Sequence, residues 1–329
     1  MKALVIGSNS FSGSNFINYL LKRDYEVVGV SRSDEYHEVF LPYYWDSNSK
    51  INFKFHVIDL NKDLEQLIKL IKTFKPSYVI NFAAQGMVAE SWKTPEDWYQ
   101  TNVVSQVKLH DHLRKFDFIQ NYLHFSTPEV YGSTEGWIKE SLNFFPNTPY
   151  AASRAACDLH LMTFYRNYDF PVTFTRAANV YGEGQQLYRI IPKTILSCLL
   201  QDKLNLHGGG TSERSFIHIE DVSEATYKVM KNGLPGNTYH ISTNEKISIK
   251  DLVWDVCHKL ERDPEELVVI TDERLGKDHS YALDSNLIRE ELLWLDSISL
   301  DEGIYRTISW IKDNLDILES MPSEYIHKI

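Results

Sequence analysis

Apolar and polar positions in the first half of this chain switch repeatedly between two periods. Short, largely apolar runs recur at Lys2 to Ile6, Glu26 to Val30, Phe53 to Ile58, Tyr78 to Phe82, Tyr122 to Phe125 and Val172 to Thr175, the pattern of strands in a buried sheet. Between them, helical spacing predicts helices over Ser14 to Leu21, Asp63 to Phe74, Pro95 to Lys115 and Tyr150 to Tyr168. Alternation of this kind predicts an α/β fold, a Rossmann-type doubly wound parallel sheet with right-handed crossovers and helices on both faces. After Asn179-Val180-Tyr181-Gly182 the regularity lapses. Glycine-marked loops and helices at Ile190 to Leu200, Ile249 to Leu260, Ser285 to Leu292 and Leu300 to Asn314 then predict a smaller, mixed α/β domain. The expected division is a dinucleotide-binding domain over 1–180 and a substrate domain over 181–329, with the segment around 215–241 returning to the first.

The turns between these elements carry the first chemistry. Gly7-Ser8-Asn9-Ser10-Phe11-Ser12-Gly13 joins strand to helix, the entrance at which backbone N–H groups and a helix N-terminus receive a pyrophosphate. Ser10 stands where a middle glycine is expected, and a plain strand–turn–helix has the same outline. The second strand ends at Ser31-Arg32-Ser33 rather than at an acidic residue. Two hydroxyls and a guanidinium suit a ribose 2′-phosphate better than a free 2′-hydroxyl, so NADP is slightly favoured over NAD. Asp59-Leu60, at the end of the third run, suits adenine. Ala83-Ala84-Gln85 lets a cofactor approach the backbone, and Thr101-Asn102 lies within the long predicted helix.

Composition narrows the function classes. The chain has 329 residues, 43% hydrophobic and 24% charged, which is ordinary globular composition with room for two domains. Its 45 acidic against 34 basic side chains give a net charge of -11, which argues against nucleic acid as a partner. No apolar run approaches a membrane span or a signal peptide, so a cytoplasmic location is expected. Cys157, Cys198 and Cys257 are scattered and far from metal-like spacing, and read as core thiols, with no metal expected.

The candidate chemistry gathers between Ser126 and Arg154. Ser126-Thr127-Pro128-Glu129-Val130-Tyr131-Gly132 leaves the end of a buried strand, and Tyr150-Ala151-Ala152-Ser153-Arg154 opens a helix. Positions i and i+4 share a helix face, so the Arg154 charge is expected to lower the pKa of the Tyr150 phenol and make it a base, with Thr127 and Glu129 opposite. A solvated or purely structural Tyr–Arg pair has the same spacing. Arg189, Arg214 and Arg274 fall in loops or at helix edges; each alone suits a surface charge, while three converging on a cleft suit a diphosphate.

In sequence order, the glycine turn, Ala83-Ala84-Gln85, Ser126-Thr127-x-Glu129-Val130-Tyr131-Gly132, Pro149 to Arg154, and Arg274-Leu275-Gly276-Lys277-Asp278 followed by Tyr281-Ala282-Leu283-Asp284 resemble the extended short-chain dehydrogenase/reductases. Within them, the chain resembles the dTDP-glucose and GDP-mannose 4,6-dehydratases over nearly its whole length. The resemblance implies catalytic roles for Tyr150 (proton from the sugar 4-hydroxyl), Thr127 (hydrogen bond to that oxygen), Glu129 (removal of H5) and Arg154. It implies a cofactor site including Gly7, Ser10, Phe11, Gly13, Ser31, Arg32, Asp59, Leu60, Ala83, Ala84, Gln85, Asn102, Tyr150 and Arg154. It also implies a sugar-nucleotide site including Gln85, Ser126, Asn179, Arg189, Arg214 and Arg274, and a homodimer built from helices 95–115 and 150–168.

Two departures bear on the reaction. Arg154 stands where the family has lysine, and Pro128 stands where it has the aspartic acid that protonates the departing 6-hydroxyl. A 4,6-dehydratase is the leading expectation. A 5,6-dehydratase, an epimerase or 4-dehydrogenase, and a cofactor-bound protein without catalysis are the alternatives.

Overall fold

The computed structural model describes residues 1–45, 49–272 and 282–327. In chain order the first elements are β1 (Lys2–Ile6), α1 (Phe11–Leu21), β2 (Glu26–Ser31), β3 (Phe53–Val57), α2 (Leu64–Phe74), β4 (Tyr78–Asn81), α3 (Pro95–Tyr99), α4 (Ser105–Leu113) and β5 (Asn121–Phe125). There follow β6 (Trp137–Ile138), α5 (Pro149–Tyr168), β7 (Val172–Ala177), β8 (Asn179–Tyr181), α6 (Ile190–Leu200) and α7 (Ile219–Asn232). Seven strands form one parallel sheet in the order Thr238–Ile241, β7, β5, β4, β1, β2, β3. β1 shows why a strand of this sheet is apolar on both faces. Ala3 and Val5 pack on one face against Phe16, Ile17 and Leu20 of α1 and Val222 and Val229 of α7. Leu4 and Ile6 pack on the other against Leu67 and Ile71 of α2, Leu109 of α4 and Leu161 of α5. A strand's period of two thus feeds two apolar layers, each fully buried side chain contributing roughly 1.5–3 kcal/mol.

The single helix expected over Pro95 to Lys115 does not form. Gln100–Val104 is a wide turn with π-type hydrogen bonding between α3 and α4, the kind of bulge that favours functional positions. Asn61 clamps it, donating to Thr101 Oγ1 at 3.1 Å and accepting from Ser105 Oγ at 2.7 Å. The extra residue in the turn carries Asn102 inward, where it is 2% exposed.

Beyond β8, α6 packs with helices Ile249–Lys259 and Leu300–Asp313 through Ile191, Ile195, Leu252, Val256, Ile304 and Ile308. All three cysteines are free and buried. Among the described residues no helix is long and apolar enough to cross a membrane.

Candidate active site

The C-terminal ends of the strands open onto a cleft of about 1260 Å³. It lies where the strand order reverses between β1 and β4, the position at which an open α/β sheet receives a ligand. The turn under α1 is shaped by absent side chains: Gly7 has φ +83, and a Cβ there would meet the Ala83 backbone nitrogen at 2.6 Å. A Cβ on Gly13 would collide with the Gly7 carbonyl, so Gly13 serves helix–strand packing rather than lining the cleft. Ser10, in the middle glycine's place, is the N-cap of α1; its Oγ accepts from Gly13 N at 3.0 Å and donates to Gly7 O at 2.7 Å. No acidic side chain sits in the first turn of α1, so the positive helix end is not neutralised there. Ser10 and Phe11 line the cleft.

Ser31, Arg32 and Ser33 line the cleft beyond β2. Asn9 fixes this corner, donating through Nδ2 to the carbonyls of Ser33 at 2.9 Å and Asp34 at 2.8 Å, while its N–H is accepted by Ser31 Oγ at 3.0 Å. The Glu35 carboxylate is held by the hydroxyls of Tyr43 and Tyr44, at 2.6 and 2.8 Å. Asp59 and Leu60 also line the cleft, Asp59 accepting from Asn61 N at 2.8 Å. Ala83, Ala84 and Gln85 form the wall after β4. Asn102 stands behind that wall: its side chain accepts from Gln85 N at 2.8 Å and donates to Gln85 O at 3.1 Å and Ser153 Oγ at 2.9 Å. The wide turn therefore ties the cleft wall to the start of α5.

Thr127, Glu129, Tyr150 and Arg154 all line the same cleft. Thr127 is the N-cap of a 3-10 turn, Pro128–Tyr131, and accepts from Glu129 N at 3.4 Å. Proline suits the first position of such a turn because its φ is already right and its missing N–H is not needed there. Tyr150 sits just inside α5, whose start is set by Thr148 capping Ala151 N at 3.1 Å and by Pro149. The Tyr150 phenol shares a hydrogen bond with Thr127 and feels the charges of Glu129, Arg154 and Arg189.

The expected acidification of Tyr150 does not hold in this structure. Burial and the Glu129 carboxylate push the phenol above its ordinary value, and the lowering by Arg154, Thr127 and Arg189 is outweighed. The reason is where Arg154 points. Its guanidinium donates to the Phe125 carbonyl and to His124 Nε2, the latter at 3.2 Å, so part of its charge is spent on the end of β5. Its Nε has no hydrogen-bond partner although buried. An orphaned donor there, with the side-chain-free cradle at Gly7, fits a dinucleotide that brings a ribose oxygen to Arg154 and a pyrophosphate to α1.

Behind Arg154 lies a charged network that sequence spacing did not reveal, although Asp158 follows Tyr150 and Arg154 at the same four-residue step. The Asp158 carboxylate accepts from Ser126 Oγ at 2.6 Å and from Arg176 at 2.8 Å, and both charged residues are 0% exposed. Ser126 is thus anchored from below while lining the cleft. His110, His124 and Cys157 bring potential metal-ligand atoms within 4.8 Å of one another. Arginine only donates, so His124 Nε2 accepts from Arg154 and the proton of this ring, which burial keeps neutral, sits on Nδ1. Burial also pushes the Cys157 thiol up to about 12, and this arrangement does not offer a cation ready lone pairs.

Asn179, Arg189 and Arg214 line the far side of the cleft, Arg189 as the N-cap residue of α6. Arg274 lies outside the described residues. Sequence reasoning missed Glu90, Lys93, Tyr188, Lys193, Glu324 and Tyr325, which also line the cleft. The last two come from a segment remote from every motif.

A family model described as GDP-mannose 4,6 dehydratase matches residues 4–307. A probable dTDP-glucose 4,6-dehydratase of Sinorhizobium fredii is 30% identical over 330 residues, covering 95% of this chain and 93% of that protein. A trifunctional UDP-glucose 4,6-dehydratase/UDP-4-keto-6-deoxy-D-glucose 3,5-epimerase/UDP-4-keto-L-rhamnose-reductase of Arabidopsis thaliana is 30% identical over 317 residues; this chain spans about half its length, 47%. Among solved structures, a dTDP-glucose 4,6-dehydratase from Streptomyces venezuelae with NAD bound superposes with a TM-score of 0.89 at 28% identity, over 96% of this chain and 98% of that one. A UDP-glucose 4-epimerase from Thermotoga maritima shares the fold at a TM-score of 0.85 and 24% identity, over 96% of this chain and 100% of that one.

Proposed function

The chain belongs to the GDP-mannose 4,6-dehydratase family, and from that premise we propose that it is a nucleotide-sugar dehydratase working through a 4-keto intermediate. The observation that carries this reading is the convergence of Thr127, Glu129 and Tyr150 on one cleft beneath the glycine turn. A bound nicotinamide dinucleotide supplies hydride uptake from C4, its return at C6, and a positive charge beside the phenol. Tyr150 takes the proton of the sugar 4-hydroxyl, with Thr127 hydrogen-bonded to the same oxygen. Glu129 removes H5, which the neighbouring ketone acidifies. Arg154 holds the nicotinamide ribose, and Arg189 and Arg214 offer charge to the diphosphate. Gln85, Ser126 and Asn179 orient the sugar, and Gln85 is itself fixed by Asn102.

Pro128 offers no proton to the departing 6-hydroxyl, and this keeps a second reading in play: a C4 epimerase or 4-dehydrogenase in which Glu129 is not the base, or a 5,6-dehydratase. Incubation with UDP-, dTDP-, GDP- and CDP-hexoses separates dehydration, epimerisation and oxidation by product mass, and a deuterium label at C4, found at C6 or back at C4 in the product, separates the two dehydratases. We also read residues 1–180 with the stretch around 215–241 as the dinucleotide-binding unit and the remainder as the sugar-nucleotide unit. The buried free thiols support a cytoplasmic location.

NADP is slightly favoured. Arg32 lines the ribose end of the cleft, while Glu35, a nearby acceptor for a ribose hydroxyl, is engaged by two tyrosines. Arg32→Ala is expected to weaken NADP by roughly tenfold or more and NAD far less, since the bonds lost are charge-assisted. Titration of both cofactors reads this directly, and equal weakening removes the preference.

A homodimer is supported by exposed apolar side chains along the α3–α5 side: Trp92 is 48% exposed, Tyr99 41%, Val104 41% and Leu159 47%. Light scattering at micromolar concentration should give twice the mass of the chain. A monomer mass rejects the dimer.

A further inference from the structure

Residues Glu324 to His327 run across the mouth of the cleft in a two-residue alternation. Tyr325 and His327 turn partly inward, whereas Glu324 is exposed and Ile326 is 63% exposed. The apolar residue faces solvent, so burial of hydrophobic surface is not what holds this segment down. Its fixings lie on both walls. On one side Lys193 of α6 donates to Glu324 Oε1 at 2.6 Å, and Tyr325 packs edge-on against Tyr188 with ring centres 5.4 Å apart. On the other side the His327 ring lies flat on Trp98 of α3, with centres 5.0 Å apart and planes 9° apart, and His327 Nε2 is 3.0 Å from Asp97 Oδ2. Trp98 is 0% exposed and cannot itself yield. Between these fixings Glu324 and Tyr325 line the cleft together with Arg32, Ser33 and Tyr36, and the charges of Arg32 and Glu90 reach the Tyr325 phenol.

We propose that residues 324–327 form a strap over the adenosine end of the cleft, in which Tyr325 is a wall of the dinucleotide site and His327, seated on Trp98 and Asp97, is the latch that keeps the cofactor in place between turnovers. The inference rests on the cofactor reading above. It gives the segment a use that suits the proposed reaction: a cofactor that ends each cycle in its starting state gains nothing by leaving. The fixings are few and peripheral, so the strap can open for loading.

The test follows release of radiolabelled NAD or NADP, whichever the full-length chain binds more tightly, from the loaded chain after a chase with the same cofactor unlabelled. Tyr325→Ala is expected to release it about tenfold faster or more, and Asp97→Asn, which loosens the latch without touching the cleft wall, several-fold faster. Tyr325→Phe should release it at the wild-type rate, because the ring and not the hydroxyl forms the wall. Unchanged release in both Tyr325→Ala and Asp97→Asn overturns the strap. A wild-type chain that takes up neither NAD nor NADP overturns the cofactor reading itself, a result separable from failure of the strap alone.

Discussion

Glu129→Gln should stop both solvent-deuterium exchange at C5 and loss of water, by about 100- to 10,000-fold, the range in which a positioned general base contributes. Oxidation at C4 should survive, because it depends on Tyr150, Thr127 and Arg154. The substitution also carries a pH signature. The Glu129 carboxylate raises the Tyr150 pKa, and the active form of that phenol as a base is the phenolate, so the rate of C4 oxidation climbs with pH towards the folded-state value. Removing the carboxylate lowers that value, and the rising limb should move to lower pH. Single-turnover formation of reduced cofactor, followed by absorbance across pH, reads both effects. Exchange that persists in Glu129→Gln means another group removes H5, and the dehydratase reading then fails.

Pro128→Asp is expected to accelerate dehydration, by up to about 100- to 10,000-fold if expulsion of the 6-hydroxyl limits the wild type. In the wild type, C5 exchange should outrun water loss, because the base is present and no acid stands at this position. The substitution is mild for the fold. Residue 128 opens a 3-10 turn capped by Thr127, and an aspartate in a first helical turn is itself favourable. Cofactor affinity should not change. A variant no faster than the wild type means that the leaving group already has an acid elsewhere or that elimination is not rate-limiting; comparing exchange with water loss in the same sample distinguishes the two.

The sheet was legible in the sequence because parallel strands buried on both faces tend to be apolar in unbroken runs, as Ala3 to Ile6 of β1 and Tyr78 to Ile80 of β4 are; β7 departs from that rule, burying Thr173, Thr175 and Arg176. The glycine turn was legible because close backbone approach excludes a Cβ at Gly7 and Gly13. The break in the helix at Gln100–Val104 was not. Nothing in its composition marks a wide turn, and what stabilises it is Asn61, some forty residues earlier. The direction of the Tyr150 shift was missed for a similar reason. Spacing along a helix puts Arg154 on the same face, but only the fold shows the guanidinium turned to β5 and the phenol buried beside Glu129. Asp158 lay one further helical step along, yet its partners Ser126 and Arg176 come from two other strands' ends and interiors. The contribution of Glu324 and Tyr325 to the cleft is a purely tertiary fact.

The most direct test of the central claim is the mass of the product formed when the purified chain, loaded with NAD or NADP, meets each of UDP-, dTDP-, GDP- and CDP-hexose in deuterated water. Dehydration through a 4-ketone predicts, with at least one of these sugars, a product that has lost the elements of water and carries one solvent-derived deuterium at C5. It also predicts deuterium at C5 in recovered substrate before that product accumulates. A product of unchanged mass, or one lacking two hydrogens, with no deuterium entering C5, contradicts the account and assigns the cleft to epimerisation or oxidation at C4.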